Sequence, residues 1–336
     1  PFGGPIISDL IKTKQSKIAP NGKFVSLFQV EIGSGIGNGK GKGKTTGPTG
    51  PTGPQFINVA PDIITTEFVV ASQFCKRSGC ANRQNVFDSK SSKSFRSSFR
   101  KSNPIKYLDG SRVSGESGTD LLAFSKSDTK FRTNIILANQ ISGLLRTQAA
   151  VEGVMGLGAK SQIWNQLKSS RLDQVVGIAL PLGKCDVGSI ALGGLDTRFI
   201  NGPMYNISLN SSKSTYSISI NALYVGGLPI NSTVVDSVID TRNDRISLEK
   251  ASREFFRLLK AKKSKSGGFV VPNPIDVSFD VILDDDKIVQ LTLPNSTICD
   301  SNTGTGIGEG SKNCLSIFDD KSGPKGEITL GRPFLQ

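Results

Sequence analysis

Apolar and polar residues alternate over Phe24–Ile32, FVSLFQVEI, which predicts a strand with one buried face. Phe56–Val70, FINVAPDIITTEFVV, drives a second strand into Asp62 and returns through another apolar segment. Val238–Leu248, VIDTRNDRISL, does the same at Asp240, ahead of a loop crowded with charge. Tyr216–Val225 alternates again and meets a turn at Gly226-Gly227, while Phe269-Val270-Val271-Pro272 and Asp276–Leu283 read as further strands. Helical character is predicted over Ser161–Ser170 and Leu248–Lys265. In the latter, Leu248, Ala251, Phe255, Leu258 and Leu259 share one face and the C-terminal lysines suit the helix dipole.

An Asp at the end of an apolar run is by itself more often a turn or cap residue than a catalyst. The second copy changes that reading. Gly156 of Val154-Met155-Gly156 follows Asp62 by 94 positions, and Gly331 of Thr329-Leu330-Gly331 follows Asp240 by 91. A duplicated half is the economical explanation. With 336 residues and 36% apolar content, the chain is long enough for two lobes with separate cores. Seven per cent aromatic content, 37 glycines and many β-branched runs predict an all-β architecture with a few short helices. No run of about 18 apolar residues occurs, so no transmembrane segment is expected. The chain begins at Pro1 without Met or a signal peptide, as a processed or trimmed product would.

Histidine is absent, which excludes a Ser-His-Asp triad, a Cys-His pair and any His-based metal site. The five cysteines form no CxxC pair, so neither a metal nor another cofactor is expected. Four sequons, at Asn206, Asn210, Asn231 and Asn295, fit a glycoprotein of an oxidising compartment, although such triplets arise by chance in Ser-rich chains. The net charge of +13 is concentrated in part between Lys76 and Lys101, where eight basic residues face only Asp88. That run is either a solvated face or a surface for a polyanion: an acidic cell-wall polysaccharide, an anionic membrane or, last, nucleic acid. Specific nucleic-acid binding is not expected. Gly33–Gly53 is low-complexity loop. Its Gly43-Lys44-Thr45 imitates a phosphate loop, but Asn38 occupies the position of the first required Gly and no helix follows.

The paired Asp loops and Gly segments resemble those of the pepsin-like aspartic proteinases, whose two lobes each supply one Asp-Thr-Gly loop and one hydrophobic-hydrophobic-Gly segment. The resemblance covers most of the chain. Phe87-Asp88 with Ser89–Phe95, Val151–Gly158 and Ser189–Asp196 also resemble family segments. It implies a bilobal pepsin-like acid protease fold of pseudo-two-fold related lobes, residues 1–175 carrying the first Asp loop and flap and residues 176–336 the second Asp loop. The catalytic residues would be Asp62 and Asp240. Ile105–Gly115 resembles the flap hairpin, with Tyr107 as flap tyrosine and Asp109-Gly110 at its turn. By the same resemblance Cys75 would bridge Cys80 and Cys299 would bridge Cys314, leaving Cys185 unpaired. A secreted or luminal monomer is implied. Relatives continue beyond Gly331-Arg332-Pro333-Phe334 and supply a last strand, so the chain is either truncated or closes its sheet differently.

The departures from the family pattern cluster at the carboxylates. Asp62 is followed by Ile63 and Ile64 instead of Thr and Gly, so the hydroxyl lock is lost and a branched side chain stands where space is needed. Asp240 keeps Thr241 but has Arg242 in place of Gly. A cation beside a carboxylate favours its ionised form, so Arg242 within reach of the pair would deprive it of the proton the two Asp residues must share. Thr65 and Asn243 keep hydrogen-bonding ability at the next positions, while Val69 replaces the Trp that supports the flap tyrosine. The expectation is a catalytically impaired homologue that acts by binding a peptide or protein in the interlobe cleft, or an anionic polysaccharide or surface on its basic face. The alternative is an active, divergent endopeptidase cleaving proteins at acid pH.

Overall fold

The computed structural model describes residues 6–14, 24–34, 54–75, 80, 83, 85–124, 130–180, 187–209, 215–230, 235–264, 268–295, 298, 314–320 and 328–335. Most of the Gly33–Gly53 loop, two sequons (Asn210 and Asn231), Cys185 and Cys299 lie outside these residues. The chain forms two compact units, the first comprising Pro1–Ala19 and Val25–Ile200, the second Pro20–Phe24 and Asn201–Gln336. No helix among the described residues is long and apolar enough to cross a membrane.

In the first unit the strands are β1 (Ile6–Lys14), β2 (Phe24–Ile32), β3 (Gln55–Asp62), β4 (Phe68–Ala71), β5 (Arg96–Lys101) and β6 (Ile105–Lys106). They continue with β7 (Arg112–Phe124), β8 (Lys130–Ser142), β9 (Gly153–Gly156), β10 (Val176–Ala179) and β11 (Val187–Leu192). Helices α1 (Leu144–Thr147) and α2 (Ile163–Ser169) are short. One sheet runs in the order β10-β11-β1-β2-β3-β9-β4-β8-β7-β5, with β6 paired to β7. Buried apolar side chains hold it together, among them Phe28 stacked on Phe124 at 5.6 Å between ring centroids.

The second unit contains β12 (Ser217–Val225), β13 (Leu228–Pro229), β14 (Val235–Ile239), β15 (Ile246–Ser247), β16 (Lys262–Lys263) and β17 (Phe269–Val271). Then follow β18 (Val277–Ile282), β19 (Ile288–Leu293), β20 (Cys314–Leu315), β21 (Phe318–Asp319) and β22 (Ile328–Leu330). Helices α3 (Ser252–Leu258) and α4 (Arg332–Leu335) complete it. Its main sheet has the order β19-β18-β12-β14-β22-β15-β21. Phe255 and Phe318, both fully buried, meet at 4.5 Å at the centre of its core.

The duplication read from the sequence is present in the topology. In the first unit β9 lies between β3 and β4, parallel to β3 and antiparallel to β4, and β4 runs parallel to β8. In the second, β22 lies between β14 and β15, parallel to β14 and antiparallel to β15, and β15 runs parallel to β21. Threading a later strand between two earlier neighbours forces the loop between those neighbours to pass over it. Each Asp sits at the start of such a loop.

The helix expected over Leu248–Lys265 is shorter in the structure. A 3₁₀ turn at Glu249–Ala251 leads into α3, which stops because Lys260 adopts a left-handed φ of 52°. The chain then forms β16. The expected inward residues do face the core, joined by Phe256, which stacks on Phe269 at 3.6 Å.

Candidate active site

Asp62 ends β3 and is 2% exposed. Its Oδ1 accepts the backbone N–H of Ile64 at 2.8 Å and that of Thr65 at 3.1 Å. The Gly156 segment is laced to the same loop: Leu157 N–H donates to Asp62 O at 2.7 Å, Gly156 N–H to Glu67 O at 3.0 Å and Gly158 N–H to Thr65 O at 2.8 Å. A Cβ on Gly156 would stand 2.6 Å from both N and O of Glu67, so only glycine fits beneath this loop. Ser161 fastens the far side, its Oγ donating to Gly156 O at 2.7 Å and to Thr66 O at 3.1 Å.

Asp240 follows β14 and is 5% exposed. Its Oδ1 accepts the backbone N–H of Arg242 at 2.8 Å. The threading segment is bound in the same manner: Asp240 N–H donates to Leu330 O at 3.0 Å and Arg332 N–H to Asn243 O at 2.8 Å. A Cβ on Gly331 would lie 2.1 Å from Arg245 O. Asn243 Oδ1 accepts Arg245 N–H at 3.2 Å, and the Arg245 guanidinium donates to Ser316 O at 2.7 Å.

The two loops are built alike, each within its own unit. In both, the second residue after the Asp gives its amide to the carboxylate, and the third accepts a bond from the segment beyond the Gly. Ile64 and Arg242 fill the second position without left-handed strain: among the described residues, the non-glycine residues with positive φ are Phe99, Arg171, Glu249, Lys260 and Asp286. Ile63 and Thr241 are buried beside their carboxylates, and Ile64 and Arg242 are partly exposed. The Thr65 hydroxyl is buried without a hydrogen-bond partner. Among the described residues no group of three or more His, Cys, Asp or Glu side chains could hold a metal ion.

The hairpin expected as the flap is β6 and β7, with Ile105 opposite Val113 and Lys106 opposite Arg112. Tyr107 N–H donates to Ser111 O at 2.9 Å, Gly110 takes φ +81°, and the Asp109 carboxylate accepts Ser111 N–H at 2.8 Å. Tyr107 is 5% exposed and packs in one apolar cluster with Ala60, Val69 and Val154. The structure thus brings the hairpin tyrosine onto the strands that carry the Asp62 loop. Cys75 and Cys80 form a disulfide with Cα atoms 5.3 Å apart, both sulfurs buried in that cluster. Cys314 is disulfide-bonded.

Sequence reasoning missed a polar anchor behind the first loop. Glu152, 2% exposed, accepts the Asn58 amide at 2.8 Å and the Asn85 amide and side chain at 2.9 Å each. Its electrostatic partner Arg83, 8% exposed, donates to Val151 O at 2.7 Å and Leu145 O at 2.9 Å. Burial lowers the Arg83 guanidinium to about 10 against the pull of Glu152, and burial raises the Glu152 carboxyl despite its three donors. A lone acid in the apolar run VEGVMG was the available signal.

Paired sheets that each bury an Asp-bearing loop around a threaded glycine define a pepsin-type aspartic proteinase scaffold. The chain belongs to the eukaryotic aspartyl protease family, whose sequence model matches residues 51–336. It is similar to syncephapepsin of Syncephalastrum racemosum, with 23% identity over 205 residues, 57% of this chain and 49% of that protein. The chain thus matches about half the length of that relative.

Proposed function

We propose that this chain is a catalytically impaired aspartic proteinase homologue that acts by binding. The observation that carries this reading is the occupancy of the two positions where the family has glycine. Ile64 and Arg242 are each tied by their own amide to the neighbouring Asp carboxylate at 2.8 Å. The tie holds a branched side chain next to Asp62 and a guanidinium-bearing residue next to Asp240. A general acid–base pair must share one proton between two carboxylates and leave room for one water. Bulk at one loop and positive charge at the other oppose both needs, while the loops themselves stay folded. The ligand is a peptide or protein segment.

The Cys75–Cys80 bridge supports an extracellular or luminal location, and the exposed Asn206 and Asn295 supports glycosylation there. A second binding mode rests on the exposed cations Lys90, Lys93, Arg96, Arg100 and Lys101, which suit an anionic polysaccharide or surface. Arg83 does not belong to that face, since it is buried. The active endopeptidase is the competing reading, favoured by retention of both Asp residues. Binding of a pepstatin-type inhibitor separates the two. Impaired carboxylates predict no saturable binding at acid pH, and tight binding lost on Asp62→Asn supports the enzyme.

A further inference from the structure

The first unit contains a cavity of about 340 Å³ that the Asp62 carboxylate does not line. Its floor is apolar and almost wholly buried: Phe68 (7% exposed), Leu122 (1%), Ile135 (0%) and Met155 (1%). Its wall includes two residues of opposite charge, Glu67 from the Asp62 loop and Arg100 from the exposed edge strand β5. Among the described residues neither forms an ion pair. The Glu67 carboxylate accepts the Thr66 amide at 3.2 Å. Ser117, Thr133 and Asn134 add hydrogen-bonding groups to the wall.

The charge pattern selects among ligands. A purely anionic apolar molecule would face Glu67, and a purely cationic one would face Arg100, so each would meet a like charge. A molecule carrying both charges meets two complementary ones. The volume lies at the small end of ligand pockets, which run from about 300 to 1,000 Å³.

We infer that this cavity binds the zwitterion of an apolar amino acid or short apolar peptide, its ammonium at Glu67, its carboxylate at Arg100 and its side chain on Leu122, Ile135 and Met155. The site is separate from the Asp carboxylates and does not depend on whether they are active. It touches their scaffold, because Glu67 O accepts the amide of Gly156, which lines the cavity and threads the Asp62 loop.

Isothermal titration of the whole chain with leucine and leucyl-leucine tests this, alongside N-acetylated and C-amidated leucyl-leucine and the variants Glu67→Gln and Arg100→Ala. Saturable binding of at least one zwitterion is expected, weakened about tenfold by either cap, as loss of one charge-assisted hydrogen bond implies. Glu67→Gln should lose sensitivity to acetylation, and Arg100→Ala should lose sensitivity to amidation. Arg100 is exposed, so its replacement leaves the core intact, and Arg100→Lys should retain part of the affinity. Absence of binding at millimolar ligand, or binding indifferent to both caps and both variants, would overturn the assignment. So would displacement by a pepstatin-type inhibitor, which would place the ligand at the Asp carboxylates.

Discussion

The Arg242 amide donates to Oδ1 of Asp240 at 2.8 Å, so the residue that replaces a family glycine also performs the glycine's backbone task. A backbone hydrogen bond is indifferent to the side chain of its donor, so the loop survives substitution while the electrostatics beside the carboxylate change. Replacing Arg242→Gly should therefore leave stability within about 1 kcal/mol, the range of a surface glycine change, as measured by denaturant unfolding. A loss well above that would mean that the Arg242 side chain holds the loop together.

The threaded glycines are different, because their missing side chains are what the loops close upon. Gly156→Ala and Gly331→Ala should each destabilise the protein by about 1–3 kcal/mol or more through forced overpacking. Gly331→Ala should be the worse of the two, since its Cβ would approach Arg245 O to 2.1 Å against 2.6 Å for the Glu67 backbone. Urea unfolding followed by intrinsic fluorescence gives the comparison. Equal stability of both variants with the parent would contradict the threading.

Arg83 and Glu152 make a buried charge pair whose halves depend on each other. Removing Arg83 leaves Glu152 charged in a dry site, so Arg83→Met should cost about 3–5 kcal/mol at neutral pH. Because burial raises the Glu152 carboxyl, the folded chain holds that proton more tightly than the unfolded chain. The stability this supplies is present below the ordinary glutamate range and is lost as pH rises through the raised value. Glu152→Gln should remove that dependence, so the melting temperature of the parent relative to the variant should fall as pH rises above the ordinary glutamate value of about 4. Arg83, lowered to about 10, acts only in the alkaline range, where its contribution grows as pH rises above that value.

Bridging of Cys75 to Cys80 closes a short loop inside the core. Cys75→Ser with Cys80→Ser should cost about 2–3 kcal/mol, seen as a lower urea midpoint. Mass mapping of unreduced peptides should pair Cys314 with Cys299 and leave Cys185 as a thiol. A Cys185–Cys314 bridge would refute the second-lobe alignment.

Periodicity carried most of the fold. The alternating FVSLFQVEI is β2 over the expected residues, because a half-buried strand prints its two faces directly into the sequence. The Asp-to-Gly spacing pointed to the threaded strands, since a glycine that must pass under a loop has no substitute. Helical spacing past Leu259 misled, because the stop is set by the backbone at Lys260 and not by an apolar residue. Arg83 read as one more surface cation for a physical reason as well: it lies in a loop without periodicity, and only tertiary packing buries it. The cavity wall joins Glu67 to Arg100, 33 positions later in the chain, a pairing that no local pattern encodes.

Cleavage of a denatured protein substrate, followed between about pH 3 and pH 7, tests the impaired-homologue account most directly. The parent chain should release no peptides. A variant with Ile63→Thr, Ile64→Gly and Arg242→Gly together should gain cleavage at acid pH, because bulk and positive charge are removed at once. Cleavage by the unmodified chain near pH 4, blocked by a pepstatin-type inhibitor and abolished by Asp240→Asn, would contradict the account and establish an active endopeptidase.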